Sequence, residues 1–549
     1  MIGLFMKKRI RTIVLDVSAF VLGGMLLWWA VAPLFHPGLF PTIDNISVVR
    51  MEEMAHELKR GQFPVRHVAD LGRGRGYMLY NFYAPLPFYI GAAQILAGIN
   101  PVGALKRTYL LAVLLAFVGM VLLGWTFFGR VGGVVSGIAY VYGPFVGYDI
   151  YWRGGVGEIW AMAWLPWVFW AFYGLRQGKR TAMVFGAISL AGLLLSHNLT
   201  TYLAVPFLVF WTGYQTSWHK REIRGLAVSF FLGLGISAFF WIPAVAEKRY
   251  LWVSYLQPGI GAMAEGLLGW NIFAVLFSKF VPLVTNWFSF LVPLAIFVYM
   301  QMIPSGSPLA RRPLKIAGIL FCIAIAMTTV LTKPLWTTFY PVFYIVQFPW
   351  RFHVFASLFG AFLIGGMVVC VPKKITLVVA LGVIAAVMIV SRPNFLPKSY
   401  EFVDKYRPED PCGTTWGVEY LPTWVTTCLK TPASVPMEVV FGDASIANVT
   451  KNVRQYEASV TVAQKSVLRV HEYYYPGWTV VVDGKPTPVD YRNRYGLVEF
   501  SLMPGSHLVT VAFVDTPTRA VSNVTSLVSL AALVVLTVLL IRRHFYTLT

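Results

Sequence analysis

The sequence predicts a polytopic α-helical membrane protein that carries an antiparallel β-sandwich-like domain near its C-terminus. Three observations predict it. First, 57% of the 549 residues are hydrophobic and only 13% are charged, with a mean hydropathy of +0.64; typical soluble domains carry about 25% charged residues. Second, apolar runs of roughly 18 or more residues recur along the chain, each long enough to cross about 30 Å of hydrocarbon. Third, residues 436–515 break this pattern and alternate apolar with polar side chains between turn residues.

The helices follow from apolar length, and their direction from charge. The formal charge of +21 does not imply nucleic acid, because Lys and Arg in short loops beside spans mark the cytoplasmic side. The opening MIGLFMKKRIRTIVLDVSAFVLGGMLLWWAVAPLF has the charged start of a signal peptide. Its apolar stretch is too long and no small-residue cleavage site follows, so an uncleaved first helix near 13–34 is expected. Placing Arg130, Arg176/Lys179/Arg180, Lys220/Arg221/Arg224, Arg311/Arg312/Lys315, Lys373/Lys374 and Arg542/Arg543 inside then requires about twelve crossings. They lie near 13–34, 107–128, 131–149, 158–175, 181–196, 199–217, 224–245, 286–303, 314–331, 353–371, 375–391 and 521–541. Both termini fall on the cytoplasmic side of a multi-pass plasma (inner) membrane protein. The short stretch 85–99, which begins PLP, would break the parity and is expected to be an interfacial or re-entrant helix.

With this phase, residues 1–391 form the membrane module, with a first outer loop at 35–106. Residues 392–520 form an extracytoplasmic β-rich domain, and 521–549 hold the last helix and a cytoplasmic tail. Of the 24 acidic residues only Asp16 and Glu222 then lie away from the outer face, once Asp149 and Glu158 at helix mouths are counted outside. The charge rule says little about acids, so their one-sidedness is an independent result. Asp483-Gly484 between two β-rich runs is a hairpin signal. Cys412 and Cys428 fall in the outer domain, where a disulfide can persist, whereas Cys322 and Cys370 sit in apolar runs as small core residues.

Acids beside membrane spans are costly and mark function. No acid occurs between Glu265 and Glu401, so a base must come from Asp44, Glu52, Glu53, Glu57, Asp70, Asp149, Glu158, Glu247 or Glu265. Asp44 follows the first helix directly and is a candidate base or an N-cap. Glu52, Glu53 and Glu57 alternate with Arg50, His56, Lys59 and Arg60, as on the solvated face of an amphipathic helix. Arg73 and Arg75, in a Gly-rich aromatic loop, suit a phosphate or lipid headgroups. In YDIYWRGGVGEIW, Arg153 and Glu158 flank a Gly-Gly turn; they either pair with each other or hold an anion and an acceptor. His197-Asn198 interrupts an apolar hairpin as a polar turn or a substrate contact. In QFPWRFH, Arg351 has no acid near it in sequence and suits a phosphate.

No His/Cys cluster has metal-site spacing. There is no Walker loop, G-x-S-x-G elbow, HExxH or D-x-D. Nucleotide-driven transport, serine hydrolysis and zinc proteolysis are thus unsupported.

The stretches DNISVVRMEEMAHELKRGQFP, RGGVGEIWAMAWLPW, SHNLTTY, QFPWRF and YYYPGWTVVVDGKPTPV resemble the YfhO-like bacterial membrane proteins, which in turn look like GT-C-type glycosyltransferases. The resemblance implies a transferase that takes a sugar from a polyprenyl-phosphate donor outside the cytoplasm, probing a glycan, lipid or protein acceptor. It implies Asp44 as the catalytic acid of the first outer loop and Glu158 as the second. Arg75, Arg153, His197, Asn198 and Arg351 are then expected to bind substrate. It implies interfacial helices at 46–60 and 85–99. Asp44-Asn45 replaces the Asp-Glu or Asp-x-Asp of many relatives, which leaves a divalent metal open; no metal ligand and no cofactor is assigned. The β-domain is expected to bind acceptor or cap the cavity, with Trp478, Tyr475 and Tyr495 as sugar platforms or core residues. Two other classes stay open: a transporter or flippase of lipid-linked glycans, and a non-catalytic envelope assembly factor.

Overall fold

The computed structural model describes residues 17–44, 46–214, 219–254, 292–298, 308–402, 412–414, 418–452 and 454–546. The expected span 286–303 falls largely outside them, as do Asn45 and Glu265. Within the described residues, four helices are long and apolar enough to cross a membrane, or six if two bent pairs are counted as single spans. These helices support a polytopic membrane protein but do not confirm the expected count of about twelve crossings.

The first bent pair joins α1 (Val17–Met25) to α2 (Trp28–Val31) and the turn to Phe35, at 49°. Two expected crossings, 107–128 and 131–149, lie in one helical run, α5 (Pro101–Val141), which is broken at Gly129. Gly129 has φ 73°, which only glycine adopts without cost, and the chain folds back on itself there. A Cβ on Gly133 would lie 2.7 Å from the Val121 carbonyl oxygen, and one on Gly124 would lie 2.6 Å from the Ser136 hydroxyl. Small residues let the two halves approach this closely, the usual device for packing helices in lipid. Then come α6 (Val156–Arg176), α7 (Ala182–Ser196), α8 (Asn198–Gly213), α9 (Lys220–Ile236) and α10 (Ala238–Glu247). Arg176 and Glu222 pair at 2.6 Å, so the end of α6 meets the start of α9. Later come α11 (Pro308–Ala326), α12 (His353–Gly366), α13 (Thr376–Ser391) and the last helix, α14 (Pro517–Tyr546).

The first outer loop contains α3 (Ser47–Lys59) and α4 (Leu86–Leu96). At ~1.5 Å per residue, α4 is about half as long as the hydrocarbon is thick, consistent with an interfacial segment. It packs on α3, where a Cβ on Gly91 would meet the Met51 sulfur at 2.3 Å. The solvated face expected for α3 is only partly so. Arg50 and Glu57 are buried, because the helix is covered from both sides. Glu57 accepts from Arg60, from Gln62 at 2.9 Å and from the Ala69 amide at 3.0 Å. Glu53 is less well served. Burial, with the charges of Asp70 and Glu57 nearby, pushes its carboxyl up to about 8, against the opposing pull of Arg60.

The C-terminal strands form one connected antiparallel sheet of six strands, in the order β1-β2-β6-β3-β4, with β5 also paired to β2. These are β1 (Met437–Asn452), β2 (Gln455–Tyr473), β3 (Trp478–Val482), β4 (Lys485–Thr487), β5 (Leu497–Leu502) and β6 (Gly505–Phe513). A sandwich-like pair of sheets was expected. The long β2 replaces it, pairing β6 along 455–462 and β5 along 466–473, so its apolar residues share one core with both partners. Asp483 and Gly484 have φ 51° and 77°, the left-handed pair that a tight hairpin needs. They join β3 to β4 as expected. Tyr475 and Trp478 lie in this domain's core, with Tyr495 partly buried elsewhere. Cys412 and Cys428 form a disulfide.

The sheet is tied to the membrane module. Backbone bonds run from Gly72 to Gly413, from Ala433 to Arg73 and from Tyr473 to Arg75. Deeper, the Glu247 carboxylate at the end of α10 accepts from Asn81 at 2.9 Å, Tyr475 at 3.2 Å, Thr516 at 2.9 Å and Arg519 at 2.9 Å. Glu247 therefore joins the first outer loop, the sheet and α14, and is a structural acid.

Breaking such a buried pair by removing one partner costs about 3–5 kcal/mol. Glu247→Gln and Arg519→Met should each lower the melting temperature of detergent-purified protein sharply, and the double variant should lose less than the sum. Melting unchanged in both single variants would contradict this. A second expectation concerns pH. The native Glu53 carboxyl stays protonated up to about 8, whereas an unfolded one releases its proton near 4.3. The native state thus binds the extra proton between these values, and stability falls as pH rises across that window. Melting curves of Glu53→Gln from pH 5 to 8 should show a shallower decline than the parent.

Candidate functional site

Asp44 reaches its place through backbone pairing. Its amide donates to the Arg153 carbonyl at 2.7 Å, and the Ile43 amide donates to that of Trp152 at 2.9 Å. The segment after the first helix is thereby laid against the loop that follows α5. Gly154 allows it: φ is 78°, and a Cβ would strike the Thr42 hydroxyl at 2.5 Å. Asp44 does not cap α3, whose N-cap is Ile46.

The loop's charges interlock. Arg153 donates from one nitrogen to Asp149, at 2.9 Å, and to Glu158. Asp149 and Glu158 are buried, and Glu158 lies in the first turn of α6, where a helix terminus favours an anion. The mutual salt bridge expected for Arg153 and Glu158 is therefore present, with Asp149 as a third member.

A second arm comes from the segment before α12. Arg351, buried, lies 3.3 Å from His197 Nε2 and donates to Gln347 at 3.2 Å. Gln347 holds φ 64°, a strained conformation for a side chain of this kind. Guanidinium cannot accept, so His197 Nε2 is the acceptor in this contact; on the other side of the ring Nδ1 accepts from the Thr200 amide at 3.3 Å and lies 2.7 Å from the Thr200 hydroxyl. Trp350 lies beneath both cations, 4.8 Å from Arg153 and 5.7 Å from Arg351. Arg50 completes the group, lying over Tyr83 at 4.3 Å. The Asp44 charge acts on Arg50, Arg153, Arg351 and Asp149.

The structure thus brings together five of the seven expected residues: Asp44, Arg153, Glu158, His197 and Arg351. Asn198 is adjacent but donates its amide to the Phe82 carbonyl at 3.3 Å. Arg75 is elsewhere, donating to the Thr431 carbonyl at 2.7 Å under the sheet. Asp149, Arg50 and Trp350 join the site; Asp149 was among the acids short-listed from sequence but given no role, and Arg50 was read as solvated. Asp149 stands four residues before Arg153, a spacing that could have suggested pairing. Nothing in the sequence marks Arg50 as buried.

Several buried atoms here have no hydrogen-bond partner among the described residues: Asp149 Oδ2, Glu158 Oε1, Arg50 Nε and Arg351 Nε. Buried polar atoms are nearly always satisfied, so such a concentration calls for a ligand or water. The arrangement offers cations for an anionic group and carboxylates for hydroxyl or proton contacts. As for metal ligands, one trio among the described residues, Glu53, His56 and Asp70, brings its ligating atoms within 4.8 Å. It lies on α3 and the following loop, and Arg60 already holds Asp70 through both oxygens.

Several solved structures are similar to this chain at low identity. Arabinofuranosyltransferase AftD from Mycobacteria is 15% identical, with 70% of this chain and 28% of that chain covered, at a TM-score of 0.44. The oligosaccharyltransferase AglB from Archaeoglobus fulgidus, in complex with an inhibitory peptide and a dolichol-phosphate, is 13% identical. There 69% of this chain and 56% of that chain are covered, at a TM-score of 0.40. ArnT from Cupriavidus metallidurans bound to undecaprenyl phosphate is 14% identical, with 70% and 73% covered and a TM-score of 0.39. The chain thus spans well under two thirds of AftD and AglB. No curated protein matches it. The family described as "6-pyruvoyl-tetrahydropterin synthase related domain; membrane protein" matches residues 80–397, which include α4 through α13 and every member of the site but Asp44 and Arg50. With more than half of its length matched, the chain belongs to this family of membrane proteins.

Proposed function

We propose that this protein is a GT-C-type glycosyltransferase that moves a sugar from a polyprenyl-phosphate donor to an extracytoplasmic glycan, lipid or protein acceptor, with inversion. The observation that carries the reading is the convergence of Asp44 with Arg153 and Arg351 at the mouth of the helices. The motif resemblance supports the same class.

In this reaction the Asp44 carboxylate takes the proton from the acceptor hydroxyl as its oxygen attacks the anomeric carbon. The bond from that carbon to the phosphate oxygen breaks, and the polyprenyl phosphate leaves on the opposite face. Arg351 stabilises the leaving phosphate through charge-assisted hydrogen bonds. Its guanidinium plane is held by Gln347, His197 and Trp350, so little reorganisation is needed. Arg153 adds a second positive charge, and Asp149 and Glu158 hold it in place. Glu158 Oε1 stays available to orient the acceptor. Arg75 and Asn198 have no part in this scheme, since their side chains are committed elsewhere. In the cell membrane, with both termini inside, the site opens on the outer side beneath the sheet. A transporter would instead place its polar residues near the bilayer midplane; the charges gathered here lie at helix ends.

Two variants test the proposal with a panel of polyprenyl-phosphate sugars and envelope extract. Asp44→Asn should lower transfer about 10²–10⁴-fold, the range for a lost general base, with expression and melting unchanged. A fully active, normally folded variant would sink the assignment. Arg351→Gln should lower turnover about 10²–10³-fold, and Arg351→Lys should restore part of it. Movement of cargo in proteoliposomes without a covalent product would favour the transporter reading.

A further inference from the structure

A second cavity of about 330 Å³ opens between the end of the first helix and the start of α5. It lies apart from the Asp44 site and shares no residue with it. Its two ends differ in chemistry. At one end Lys106 and Arg107 stand beside the N-terminus of α5; at the other are Leu34, Phe35 and Leu110.

Lys106 is 5% exposed. Its ammonium donates to the carbonyls of His36 and Gly38, which uses two of its three N–H groups. Among the described residues no carboxylate pairs with it, and none acts on its charge. The two carbonyls and the Tyr400 ring, 5.9 Å away, compensate the ammonium only in part, and a buried cation without a carboxylate partner favours an anion from outside the chain. Arg107 is exposed at the same end and has no partner among the described residues. The apolar end is continuous with the outward face of α5, where Leu111 and Leu114 are 45% and 40% exposed, and with Phe35 at 60%. In a membrane protein such a face meets acyl chains.

We propose that this cavity binds the phosphate headgroup of an anionic membrane lipid. The phosphate lies between Lys106 and Arg107 at the start of α5, and an acyl chain lies along Leu110, Leu111 and Leu114. Free phosphate shares the headgroup's chemistry but would gain nothing from the apolar end. The site is therefore assigned to the lipid.

The test measures binding of fluorescent phosphatidylglycerol and phosphatidylcholine to the detergent-purified full chain, with inorganic phosphate as competitor. Phosphatidylglycerol should bind more tightly than phosphatidylcholine, and millimolar phosphate should not displace it. Arg107→Gln, an exposed change that leaves folding intact, should weaken phosphatidylglycerol binding about fivefold, the effect of one basic residue near a membrane surface. Lys106→Gln should weaken it at least as much where the variant folds. Equal binding of the two lipids, an Arg107→Gln variant with unchanged affinity, or displacement by phosphate as effective as by lipid would each overturn the proposal.

Discussion

A single buried carboxylate, Glu247, closes the outer half of this molecule. It accepts from Asn81, Tyr475, Thr516 and Arg519, groups that arise in the first outer loop, in the sheet and at the start of the last helix. Arg66, itself buried, extends the network by donating to Asn81 and Asn523. An ion pair out of water holds only where its lone pairs and protons are nearly all matched. That requirement links segments more than 400 residues apart in the chain.

The Asp44 site depends on this closure indirectly. Asp44 and Arg50 come from the first outer loop, whereas Arg153, Glu158, His197 and Arg351 come from the membrane module. The loop is held by backbone bonds that join Gly72 and Arg73 to the segment that precedes the sheet, at Gly413 and Ala433, and Arg75 to Tyr473 of β2. It is also held by the pairing of Ile43 and Asp44 with Trp152 and Arg153. Tyr83, which lies under Arg50, also meets Tyr420 of the disulfide-closed segment at 6.5 Å. The sheet therefore shapes the site without lending it a charged group. Its Tyr475 and Trp478 are core residues, not an open platform for sugar.

Much of the site was legible because charge is scarce in an apolar chain. With 13% charged residues, a carboxylate or guanidinium at a helix end stands out; this drew attention to Arg153 and Arg351 and left nine candidate acids, from which the motif resemblance selected Asp44 and Glu158. His197 was found as a polar break between two apolar runs. Arg75 was misjudged for the converse reason, since a flexible cation in a loop can serve a ligand or a nearby carbonyl, here that of Thr431. Arg50 was read as solvated because its helix shows charges at every turn. Which of those charges is covered depends on α4 and the Tyr83 ring, whose positions local periodicity does not encode.

The sequence by itself determined that this chain belongs in a membrane, that its β-strands lie near the C-terminus, and which turn joins β3 to β4. These follow from hydrophobic length, alternation and backbone preference, all local properties. The tertiary structure decided which acids are structural and which remain open to a ligand, and it separated Arg75 from the site while adding Asp149 and Arg50. It also joined the strands into one sheet instead of two. Those outcomes rest on desolvation and on hydrogen-bond partners far apart in sequence, and such partners exist only once the chain has closed on itself.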